Sequence, residues 1–103
     1  MYLIRRTFKI QKGKTRDAAQ AAKELSEKYQ NVGQRSPVWI YVSGPTTPGP
    51  ADTIYMDWIE EKLENPYRED NKSPDGLGKL FQNLYQYVED SKIDFLFIGK
   101  FII

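Results

Sequence analysis

From Tyr2 to Ile10 apolar and polar positions alternate, with Tyr2, Ile4, Phe8 and Ile10 on one side and Arg5, Thr7 and Lys9 on the other. A period of two is the signature of a strand with unlike faces. Gly13 breaks it. Thr15 has the type of a helix N-cap, and Ala18, Ala22, Leu25 and Tyr29 then recur at helical spacing. That stripe predicts an amphipathic helix to about Tyr29, ended in the region of Gly33. Val38 to Ser43, rich in β-branched and aromatic residues, predicts a second strand. The stretch GPTTPGPAD holds three prolines and two glycines and is a loop. Thr53 to Glu61 predicts a third strand, followed by the polar segment KLENPYREDNK. Ser73-Pro74-Asp75 combines a capping hydroxyl, a proline for the first helical position and an acid for the first turn. Leu77, Leu80, Phe81, Leu84 and Val88 then mark the buried stripe of a helix ending near Ser91. The last strand expected is DFLFIGKFII, Asp94 to Ile103.

This β-α-β-β-α-β order is the ferredoxin-like α+β pattern. Right-handed crossovers put strands one and three in the centre of a four-stranded antiparallel sheet, with both helices on one face. With 103 residues, positions 1–103 form a single ferredoxin-like domain. The last strand is apolar on both sides, Phe95, Phe97 and Phe101 against Leu96, Ile98 and Ile102. The face without helices then carries Trp39, Tyr41, Tyr55 and one apolar row of the last strand. A patch on the order of several hundred Å² is more than a soluble monomer usually exposes. At about 25 cal/mol per Å², covering it supplies on the order of 10 kcal/mol before association costs. A second copy packed sheet to sheet is the simplest cover, so a homodimer is expected.

With a third strand reading TIYMDWIEEKLENPY, the whole chain resembles the dimeric α/β-barrel superfamily, and within it NIPSNAP-type and antibiotic-biosynthesis-monooxygenase-type proteins. The resemblance implies two sheets enclosing cavities for small, largely apolar or aromatic molecules. Such proteins include cofactor-independent monooxygenases and isomerases, haem-degrading enzymes and proteins without an assigned activity.

Composition narrows the chemistry. The chain has no histidine and no cysteine. Imidazole ligation of haem, facial-triad iron, Ser-His and Cys-His nucleophiles, thiolate zinc and iron–sulfur clusters are thereby excluded. Acid–base work falls to Asp, Glu, Lys or Tyr, and no cofactor or metal is expected. Fifteen basic and fourteen acidic residues give a net charge of +1, with no one-signed stretch to attract nucleic acid or an anionic membrane. No apolar run reaches the roughly 18 residues of a membrane span, and MYLIRRTFKI reads as a strand rather than a signal peptide, so a cytoplasmic location is expected.

Strand parity names the cavity residues. If the rows Ile4/Phe8, Val38/Ile40/Val42 and Ile54/Met56 face the helices, then Arg5, Thr7, Trp39, Tyr41, Thr53, Tyr55 and Asp57 face the cavity. Arg5 and Asp57 then fall within pairing reach. Arg5, Tyr55 and Asp57 are the candidate catalytic residues: Asp57 as base or acceptor, Arg5 as stabiliser of an anion or enolate. Thr7, Trp39, Tyr41 and Thr53 complete the substrate pocket. The plain alternative is an ion pair with packed aromatics at a dimer interface. Arg6 leaves the parity of the first strand open, because it sits on the otherwise apolar side.

Other features carry less. KGKT at Lys12 to Thr15 resembles the end of a phosphate loop, but the required first glycine falls at Phe8. Glu60, Glu61, Glu64, Glu69 and Asp70 are interrupted by Lys62 and Arg68 and read as solvated surface. Gly76 and Gly78 fit loose first-turn packing, and Tyr85 extends the helix stripe. An RNA-recognition motif shares the topology and places aromatics on the bare face. TIYMDWIE lacks that motif's basic residue and glycines. The expected function is a homodimer with a cavity for a small apolar or aromatic molecule, either a cofactor-independent monooxygenase or isomerase or a non-catalytic structural or regulatory dimer. RNA binding is a remote alternative.

Overall fold

In the computed structural model of the chain, residues 1–31, 37–44, 48–61 and 76–99 are described. They form β1 (Tyr2–Ile10), α1 (Thr15–Asn31), β2 (Trp39–Ser43), β3 (Thr53–Glu60), α2 (Leu77–Tyr85) and β4 (Val88–Phe97). The strands make one antiparallel sheet in the order β2-β3-β1-β4, the ferredoxin-like arrangement expected. Both connections through a helix skip one strand, which puts β1 and β3 in the centre.

The core lies between the sheet and the helices. Ile4, Phe8 and Ile10 of β1 and Ile54, Met56 and Trp58 of β3 form its floor. Ala18, Ala21, Ala22 and Leu25 of α1 and Leu84 of α2 close it from above. Small alanines let α1 sit low on the sheet, and the bulk comes from β1 and β3. Thr15 is the first helical residue of α1 rather than its cap, and its hydroxyl donates to the Asp52 carboxylate at 2.9 Å. Asp52 holds a left-handed backbone, φ 49°, and its carbonyl accepts the Ile10 amide. The loop before β3 is thus tied both to the end of β1 and to the start of α1.

The second helix and the last strand differ from the sequence expectation. α2 stops at Tyr85, where the Gln86 and Tyr87 amides turn back onto the Gln82 and Leu84 carbonyls. Val88 therefore leaves the helix stripe and opens β4, six positions before Asp94. Glu89 to Lys92 are polar on both sides and read as a solvated helix end, yet the segment from Val88 to Asp94 pairs with β1 from Ile10 to Arg5. An edge strand tolerates such a sequence because solvent reaches it, while β1 gains a full ladder of backbone partners. Gly99 lies beyond the strand. The expected helix start at Ser73-Pro74-Asp75, the helix end at Gly33, and Lys100, Phe101 and Ile102 fall outside the described residues.

The shift changes the bare face. Residues directly opposite across a ladder share a face. Arg5, Thr7 and Lys9 stand opposite Asp94, Lys92 and Asp90, and Leu3 opposite Leu96. The bare-face row of β4 is therefore mostly charged. Its aromatic row, Phe95 and Phe97, lies on the helix side of the sheet.

Candidate functional site

The centre of the bare face is the junction of β1 and β3, where Arg5 lies opposite Asp57. Arg5 Nε donates to Asp57 Oδ1 at 2.9 Å and Nη2 to Oδ2 at 2.8 Å, a two-pronged charge-assisted pair. The Asp57 side chain is only 6% exposed and that of Arg5 40%. The carboxylate is sealed beneath the guanidinium, and the outer edge of Arg5 meets solvent. The hydrogen bonds to Asp57 raise the Arg5 pKa above its ordinary value, desolvation opposes them, and the Asp57 charge adds to the rise. The Arg5 guanidinium also lies 5.6 Å from the Tyr55 ring centroid, within cation–π range.

β2 extends this face. Trp39 pairs in register with Asp57, and Tyr41 with Tyr55, so both rings stand on the same side as the ion pair. They are half exposed, 50% for Trp39 and 49% for Tyr41. An open groove of about 700 Å³ runs from the ion pair toward the far end of β1 and the loop before β3. Arg5, Thr7, Thr53 and Tyr55 line it together with Lys9, Lys12, Asp52, Glu89, Lys92 and Asp94. Asp57 lies beneath Arg5 rather than on the groove wall, and Trp39 and Tyr41 flank it.

The open parity of β1 resolves to Arg5. Arg6 points to the helix side, where its Nη2 donates to the Tyr85 hydroxyl at 3.1 Å. The KGKT turn carries Gly13 at φ 81°, and the carboxylate beside the start of α1 is the chain's own Asp52. Among the described residues no three His, Cys, Asp or Glu side chains come together as a metal site. Glu60 accepts the Trp58 indole N–H at 3.1 Å. Glu64, Glu69 and Asp70 lie outside the described residues.

No family model matches the chain, and no curated protein matches it. Solved structures do. An uncharacterised NIPSNAP domain protein from Burkholderia xenovorans superposes with a TM-score of 0.65 at 18% identity, over 100% of this chain and 99% of the other. A NIPSNAP family protein from Agrobacterium tumefaciens gives 0.70 at 16% identity, over 97% and 94%. An antibiotic biosynthesis monooxygenase gives 0.70 at 9% identity, over 97% and 100%. The fold is that of NIPSNAP and antibiotic biosynthesis monooxygenase proteins. At these identities the likeness is one of fold, and it runs the length of the chain.

Within this NIPSNAP-like fold, alternation along β1 and β3 was enough to put Arg5, Thr7, Thr53, Tyr55 and Asp57 on one face. Lys92, Asp94 and Glu89 of the groove were not legible, because their segment reads as the end of a helix. Lys9 was visible in the Arg5, Thr7, Lys9 row but lies one step beyond the aromatic cluster. Among the described residues no helix is long and apolar enough to cross a membrane.

Proposed function

We propose that the protein acts as a homodimer whose bare sheet faces meet, and that the groove beside Arg5 holds a small aromatic molecule. The observation that carries this reading is the Arg5–Asp57 pair, a buried carboxylate orienting a half-open guanidinium at the mouth of the groove. A guanidinium fixed on one edge presents its other N–H donors without further loss of freedom. It is suited to an enolate or phenolate that forms in a cofactor-independent monooxygenation or isomerisation. Tyr55 provides a flat wall against which a ring can lie. Asp57 acts through Arg5, whose guanidinium it orients with two hydrogen bonds.

The homodimer reading rests on Trp39 and Tyr41, two large rings half exposed on the edge strand beside this pair. The same rings favour a second reading, a dimer without catalysis in which they and the ion pair serve assembly. Mass spectrometry of small molecules that co-purify with the protein separates the two. The first reading predicts an aromatic compound retained by the wild type and lost in Arg5→Met. A ligand-free dimer, or equal retention by both proteins, would count against it.

A further inference from the structure

Arg6 stands on the helix side of β1, between Met56 of β3 and Ile93 of β4. Its Cζ lies 5.6 Å from the Phe8 ring centroid, and Nη2 donates to the Tyr85 hydroxyl at 3.1 Å. Its Nε is buried without an acceptor among the described residues. Among the described residues no carboxylate pairs with it, whereas its neighbour Arg5 holds Asp57 with two bonds. A partly buried guanidinium with one neutral partner has lost hydration without gaining an anion. Its planar fork is suited to a carboxylate.

The adjoining row of β4 supplies a second, independent observation. Ile93, Phe95 and Phe97 stand opposite Arg6, Ile4 and Tyr2, so they share the helix side with Arg6. They are nonetheless 43%, 54% and 65% exposed. The strip starts beside Arg6 and runs about 13 Å to Phe97, at roughly 3.3 Å per residue. A guanidinium that no carboxylate pairs among the described residues, at one end of an apolar strip, has the layout of an amphiphile's binding site.

We propose that this strip binds a single-chain aliphatic carboxylate, with its head on Arg6 and Tyr85 and its chain along Ile93, Phe95 and Phe97. The Tyr85 oxygen accepts from Arg6 while its O–H donates to the carboxylate. One guanidinium carries one positive charge, which matches a monocarboxylate better than a phosphate dianion. The strip lies on the opposite side of the sheet from the Arg5 groove and stands or falls independently of it.

Isothermal titration of the full chain with decanoate, decanol and butyrate tests the assignment. Decanoate binds, butyrate binds far more weakly for lack of a chain, and decanol binds about tenfold or more below decanoate for lack of a charge. Arg6→Met abolishes the preference for decanoate over decanol, and Phe95→Ser weakens both. Arg6→Lys keeps a charge in place and retains part of the preference, which preserves the test should Arg6→Met fail to fold. No binding of decanoate by the wild type would overturn the proposal, as would equal binding of decanoate and decanol. A Phe95→Ser protein with unchanged decanoate affinity but a lower mass in light scattering would also overturn it, making the strip a contact between copies.

Discussion

Replacing Arg5 by Met tests what the ion pair contributes. The substitution keeps the aliphatic stem but removes both bonds to Asp57, whose side chain is 6% exposed. Stranding one member of a fully buried pair costs about 3–5 kcal/mol. Arg5 is 40% exposed, so water that enters its place recovers part of that loss. The expected destabilisation is about 2 kcal/mol, a drop of roughly 8–16 °C in melting temperature for a domain of this size. Removing both charges in Arg5→Met/Asp57→Leu should restore most of it, because no buried carboxylate is left unpaired. Urea titrations of the wild type, both single variants and the double variant form the cycle, with an expected coupling of about 1–2 kcal/mol. The sign of any pH effect follows from the raised Arg5 pKa. That contribution is complete below the unfolded pKa of Arg5 and is lost only as pH rises through the still higher folded value. Titration of Arg5 therefore adds no slope through neutral pH. Single variants within about 0.5 kcal/mol of the wild type, or costs that simply add, would refute the view of Asp57 as a sealed carboxylate dependent on Arg5.

Other positions give sharper local tests. Gly49 has φ 128°, and a Cβ there would sit 2.7 Å from Ser43 Oγ, so Gly49→Ala should cost about 1–3 kcal/mol by thermal melt. Among the described residues Ser43 Oγ is buried without a partner, so Ser43→Ala should be neutral or stabilising in the same assay and should relieve part of the Gly49→Ala clash. Thr15→Val removes the bond to Asp52 and should lower urea stability by about 1 kcal/mol. Leu84→Ala empties a fully buried position under α2 and should cost about 2–5 kcal/mol, read from the shift of the urea midpoint.

Most of the fold was legible because β1 and α1 each bury one face and leave the other wetter, while β3 alternates apolar with polar residues although Thr53 and Asp57 of its polar row are buried as well. Ile4, Phe8, Ile54 and Met56 line the floor as their alternation predicts, and Ala18, Ala22 and Leu25 form the roof. β4 is not legible because Glu89 to Lys92 near its start are polar on both faces. Its place is set by hydrogen bonds to β1, and backbone pairing leaves no trace in side-chain pattern. Val88 fits a helix and a strand equally well. It packs against the core from the first position of a strand, where a helical stripe also expects an apolar residue. Of the candidate site, Arg5 opposite Asp57 follows from two strands read correctly. The groove's second wall belongs to the misread segment, and so its charged character appears only in three dimensions.

Light scattering of the wild type beside Trp39→Asp/Tyr41→Asp, at micromolar concentration, tests the central claim that two bare sheet faces meet. Both side chains are half exposed in the single chain, so the acids should leave its fold intact while placing charge where the partner would pack. A sheet-to-sheet dimer gives twice the chain mass for the wild type and the single-chain mass for the variant. A wild-type monomer, or a dimer that persists in the variant, would contradict it.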